Sequence, residues 1–109
     1  MNQHPDNETW VVEAGDAVIT KKAEGAGLSP VERLVYCLRV ADYGMRNAGD
    51  LDTARDLYHG FQPEAAELAR KLGLLFTRQS FELPAGVLQA EYFERFDRIC
   101  VEIQGAFTL

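Results

Sequence analysis

Cysteine is scarce, with only Cys37 and Cys100 among 109 residues, and neither belongs to a CxxC pair. That argues against a disulfide framework and a thiolate metal site, and both cysteines read as reduced thiols inside apolar stretches. Histidine is equally rare at two, and no HExxH spacing exists. A metal centre needs three or four ligands at motif spacing, and the only near-cluster, His59 with Glu64, supplies too few. We therefore expect no metal, no cofactor and no catalytic residue. Basic charge is in the minority, 11 Lys and Arg against 17 Asp and Glu, for a net charge of -6 and a pI of about 4.8. This balance repels nucleic-acid phosphate and anionic lipid, so direct nucleic-acid or membrane binding is not expected. Long apolar runs are absent too; residues 73–76 are far short of the roughly 20 that a membrane helix needs. The first residues lack the basic and apolar regions of a secretory signal, which points to the cytoplasm.

What is present is an ordinary globular composition, 47% hydrophobic and 26% charged, in a chain of 12.2 kDa. Such a chain folds as one domain with an accessible surface of roughly 6,000 Å². We expect residues 1–8 to be a flexible terminus and residues 9–109 to form a single helical domain. Trp10, Val11, Ala14, Val18 and Lys21 recur at helical spacing over residues 8–23. Ser29-Pro30-Val31-Glu32 is a capping box with proline in the first helical position, opening a helix to about Asn47. Val31, Leu34, Cys37, Leu38, Ala41 and Met45 gather on one arc of it. Tyr36, Val40 and Tyr43 lie across from them, so this helix is expected to be central.

Gly44 inside that helix implies a close crossing. Asp50 is placed to cap a short helix from Leu51, whose Leu51, Ala54, Leu57 and Tyr58 would face one way. A further helix over residues 63–72 ends at Gly73, residues 74–84 lack a clear period and read as an extended connector, and residues 85–106 form a long last helix. On that helix Glu91 with Arg95, Glu94 with Arg98, and Arg98 with Glu102 are at ion-pair spacing. The fold class is therefore all-α, a bundle of about five helices.

Acidic residues are interleaved with basic ones, so no carboxylate pair stands out for acid/base work. Gly25-Ala26-Gly27 lacks the third glycine, preceding strand and Walker lysine of a phosphate loop, and reads as a hinge. The candidates that remain are partner-binding. Tyr36, Arg39 and Tyr43 fall within about 60° of one another at 100° per residue, and Tyr and Arg are the residue types of interface hot spots. Arg46, Asn47 and Asp50 follow at the helix end, as partner contacts or as a capping network.

The run Leu28-Ser29-Pro30-Val31-Glu32-Arg33-Leu34-Val35-Tyr36, followed by Asn47-Ala48-Gly49, resembles the DNA-mimic-protein-like family of small bacterial helical domains. Asp50 and Leu51 stand where that family's motif has its second Gly and its Phe. The resemblance implies an all-α cytoplasmic protein without catalysis, able to form a homodimer and to offer carboxylates to a DNA-binding protein in place of phosphates. The alternation of charge on the last helix does not suit such mimicry. The leading expectation is a non-enzymatic protein-interaction module whose partner is another protein, basic or DNA-binding. An immunity or antitoxin-like inhibitor is the alternative, and a small-molecule pocket near Cys37, Tyr92 and Phe96 is a third.

Overall fold

The capping box forms as its residues dictate. The Ser29 hydroxyl accepts from the Glu32 amide at 3.2 Å, and the Glu32 carboxylate accepts from the Ser29 amide at 2.8 Å. Lys21 closes on the same carboxylate at 2.9 Å, tying the end of one helix to the start of the next. The computed structural model describes residues 6–107, and among these it has six α-helices: α1 (Asn7–Ala23), α2 (Pro30–Ala48), α3 (Asp52–Leu57), α4 (Phe61–Leu72), α5 (Leu75–Phe81) and α6 (Ala85–Phe107).

Helix α2 is central, touching α1, α3, α4 and α6. Its Leu34, Cys37, Leu38, Ala41 and Met45 are buried, as is Val40 on the opposite side. They meet Val11, Ala14 and Val18 of α1, Phe61, Ala65 and Leu68 of α4, and Leu88, Tyr92, Phe96, Ile99 and Ile103 of α6 in one core. Each fully buried Leu or Phe contributes roughly 1.5–3 kcal/mol, so α2 is the element the bundle is built around. The accessible surface of 6071 Å² is that of one compact unit of this mass.

Several elements depart from the sequence reading. Helix α1 begins at Asn7, inside the stretch expected to fray, because the Asp6 carboxylate accepts from the Thr9 amide at 2.7 Å and Asn7 bonds to Asp97 at 2.9 Å. The remainder of the expected flexible terminus, residues 1–5, lies outside the described residues. Gly25 is the turn that stops α1, with φ of 83° and its amide on the Lys22 carbonyl, rather than a hinge. Helix α4 starts two residues early, at Phe61.

The main correction is α5, helical where an extended connector was expected. It has no capping residue of its own. Glu102 of α6 accepts instead from the Phe76 amide at 3.0 Å and from the amide and hydroxyl of Thr77, each at 2.7 Å. Glu102 is thereby diverted from Arg98, whose guanidinium lies 4.2 Å from the centre of the Phe76 ring; of the three pairs expected on α6, Glu91 with Arg95 forms, at 2.8 Å.

Gly44 is buried at a close approach. A Cβ there would stand 2.9 Å from both the Ala54 nitrogen and the Asp50 oxygen, so the missing side chain lets the start of α3 fold back on α2. Asp50 accepts from the Thr53 amide at 3.0 Å, giving α3 its cap. Leu51 and Ala54 then face the core, while Leu57 turns outward and is 56% exposed.

Candidate functional site

The outward turn of Leu57 completes a groove. Tyr36, Arg39, Val40 and Tyr43 of α2 form its floor, Ile19 of α1 and Leu57 of α3 its walls, and it encloses about 240 Å³. Tyr43 and Ile19 are each 42% exposed, so three large apolar side chains from three helices meet water at one place. The three stripe residues read from the sequence are brought together here. Tyr36 packs on Tyr58 with ring centres 5.5 Å apart, and the Lys22 ammonium sits 4.5 Å from the centre of the Tyr36 ring.

Arg39 is the unusual member. Its stem lies across α1 at Gly15, where a Cβ would come within 2.6 Å of the arginine Cγ and 2.8 Å of its Cβ. Only glycine leaves room for that path. The guanidinium ends 3.6 Å from Asp16, too long for a hydrogen bond, and its Nε is buried without a partner. An arginine offers five N–H donors. Here Nε is unpaired, and among the described residues the guanidinium makes only the long ion pair with Asp16.

The other three candidates are occupied in the fold. Arg46 donates Nε to both carboxylate oxygens of Asp42, at 2.9 and 3.0 Å, and lies over the rings of Phe96 and Phe93 at 4.7 and 5.1 Å. Asn47 donates to the Tyr43 carbonyl at 2.9 Å, and Asp50 caps α3. They stand at the end of α2 and the start of α3, outside the groove.

Asp42 itself was missed as a special residue. It is 2% exposed and also accepts from the Tyr92 hydroxyl at 2.8 Å. The available signal was its place at the edge of the core arc, about 40° from Leu38 at 100° per residue, with Arg46 one turn on. Burial is the main cause that pushes the Tyr92 phenol and the Cys100 thiol upward, and the Asp42 charge adds to both. The Cys37 thiol rises to about 12, chiefly through burial. Neither cysteine is poised as a nucleophile.

Cys37, Tyr92 and Phe96 are packed in the core, so the small-molecule pocket expected beside them is filled with side chains. A roomier concavity of about 660 Å³ lies elsewhere, between the start of α4 and the start of α6, lined by Arg55, His59, Gln62, Glu67 and Phe81 among others. His59 belongs to it; Glu64 instead holds Arg33, at 2.6 Å, and the Tyr58 hydroxyl, whose acidity is pushed to about 12 mainly by that bond. Among the described residues no group of three His, Cys, Asp or Glu is placed to hold a metal ion, and no helix is long and apolar enough to cross a membrane. Comparison with protein-family models, curated proteins and solved structures returns no match.

Proposed function

We propose that this chain is a non-enzymatic protein-interaction module that docks a partner protein in the groove between α1, α2 and α3. The observation that carries the reading is Arg39. A glycine inside a helix costs roughly 0.5–1 kcal/mol relative to alanine, and a buried donor without a partner costs about 1–3 kcal/mol. Both costs fall on this one side chain, at Gly15 and at Nε. Departures of this kind from local rules collect at functional sites. Around Arg39 stand Tyr36, Tyr43, Ile19 and Leu57, the aromatic and apolar surroundings in which an interface anchor works.

The test is affinity capture with the wild type, Tyr43→Ala and Leu57→Ala, the last two being exposed changes that leave the core intact. A partner held by the wild type and released by both variants at unchanged thermal midpoint supports the groove. A partner lost from the wild type on raising salt to about 0.5 M, where screening shrinks charge effects to a few Å, yet indifferent to Tyr43→Ala and Leu57→Ala, speaks instead for capture by the acidic surface, as an immunity-type inhibitor or DNA mimic requires.

The roomy concavity favours a second reading, a small-molecule site. Its lining offers cations, carboxylates and the apolar surface of Phe81 within one space. A metabolite panel that raises the thermal midpoint of the wild type, but not of Arg55→Ala, would establish it.

A further inference from the structure

We infer that the occupant of the groove is an acidic amphipathic helix of a partner protein, with large apolar side chains on Tyr36, Val40 and Tyr43 and a carboxylate on Arg39. The inference rests on the docking reading above and supplies its chemistry. The chain as a whole is acidic, which by itself suggests a basic partner. The groove is locally the reverse. Its lining contains one charged residue, Arg39, and Lys22 stands over the Tyr36 ring with no carboxylate within ion-pair distance among the described residues. Asp16 faces the Arg39 guanidinium at 3.6 Å but is largely exposed and makes no hydrogen bond to it, so it screens that charge without satisfying its donors.

Distance decides which charge prevails. At physiological salt an exposed charge is largely screened beyond about 8 Å, whereas a guanidinium covered by a docked partner meets only what touches it. The terminal nitrogens of the guanidinium, which make no hydrogen bond among the described residues, fit a carboxylate through two parallel bonds, while the buried Nε stays out of a partner's reach. A lysine or arginine brought to the same place would set a second cation against Arg39, with Asp16 alone to offset the two. The helical form of the occupant follows from the host. Every described element is a helix, so no strand edge is offered for pairing, and an apolar groove between helices is the kind of host that takes the apolar face of a further helix. Tyr36 and Tyr43 are separated by seven residues of α2, about 10 Å along its axis, which matches two turns of an occupant carrying anchors at every third and fourth position.

The probe is a labelled synthetic helix of about four turns, with leucine at every third and fourth position and glutamate on its flanks, paired with a twin in which each glutamate is lysine. Fluorescence anisotropy on the full chain is expected to show the glutamate peptide binding at least about tenfold more tightly than its twin. The preference disappears in Arg39→Gln, reverses in Arg39→Glu, and is weakened in Gly15→Ala, where the new Cβ displaces the arginine stem. Circular dichroism confirms that each variant is folded. If the twins bind the wild type equally, or the lysine peptide binds better, while Tyr43→Ala still weakens binding, the acidic occupant is overturned and the docking groove stands. Binding indifferent to both Tyr43→Ala and Leu57→Ala overturns the groove itself. If neither peptide binds, the inference fails, and the capture experiment alone decides the docking reading.

Discussion

Tyr92 on α6 donates its hydroxyl to Oδ1 of Asp42 on α2 at 2.8 Å, and both side chains are buried. With Arg46 on the other side of the carboxylate, this is a polar tie through an otherwise apolar contact between the two longest helices. Tyr92→Phe keeps the ring and removes the donor, leaving a buried carboxylate with one partner fewer. A loss of about 1–3 kcal/mol is expected. Asp42→Ala removes the acceptor for both Tyr92 and Arg46 and should cost more. The double variant is expected to lose less than the sum of the singles, because the two residues share one interaction; strict additivity in urea unfolding would show that the tie contributes nothing.

Gly44→Ala tests the close approach of α3. The added methyl meets backbone atoms at 2.9 Å, which cannot swing aside as a side-chain tip can. Destabilisation of about 1–3 kcal/mol is expected, a fall of several degrees in thermal midpoint for a domain of this size. Gly86→Ala on α6, where a Cβ meets nothing within 4 Å, is the control. It should leave the midpoint unchanged or raise it through helix propensity.

Stability should fall in acid. Asp6, Glu32 and Asp50 are each held below the ordinary carboxylate range, first by a backbone amide, that of Thr9, Ser29 and Thr53 respectively. Lys21 adds to the effect at Glu32. For a carboxyl whose folded value is depressed, the unfolded chain binds the proton first. Its contribution is therefore complete above the ordinary values of 3.8 and 4.5 and is lost as pH drops below them. Urea midpoints measured from neutral pH down to about pH 3 should decline, and Glu32→Gln should flatten the decline. A curve of unchanged steepness in that variant would remove Glu32 from the account.

Both thiols should be silent in the native protein. Burial is the leading cause that raises Cys37 and Cys100, so the thiolate that reacts is almost absent at mildly alkaline pH, and the sulfur is also shielded. Ellman's reagent should label neither in native buffer and both in guanidinium. Rapid labelling of either without denaturant would place that cysteine at the surface.

Local signals made much of the fold legible. Ser29 and Glu32 are three residues apart, and Gly49 and Gly73 stand at the positions where α2 and α4 end with φ of 74° and 72°. Such devices are complete within one turn of chain. Helix α5 was not legible, because its cap is Glu102, 25 residues beyond Thr77, and nothing near residue 75 announces it. Asp42 has the same difficulty. A carboxylate on a core arc reads as surface until a partner 50 residues away is known to meet it. The candidate site divides along that line. Tyr36, Arg39 and Tyr43 share a face by helical arithmetic, whereas Ile19, Leu57 and the seat at Gly15 come from other helices. Only the packing of α1 and α3 on α2 turns the stripe into a groove.

Helix α1 is clamped at both ends, by Lys21 on Glu32 and by Glu8 on Arg46, and its inner face is committed to the core through Val11, Ala14 and Val18. The residues it lends to the groove lie on its outer side. Ile19, Asp16 and Lys22 can therefore be exchanged with little disturbance to the interior. The wall and rim of the groove on this side can thus be changed at three exposed positions without touching the buried scaffold that holds Arg39 in place.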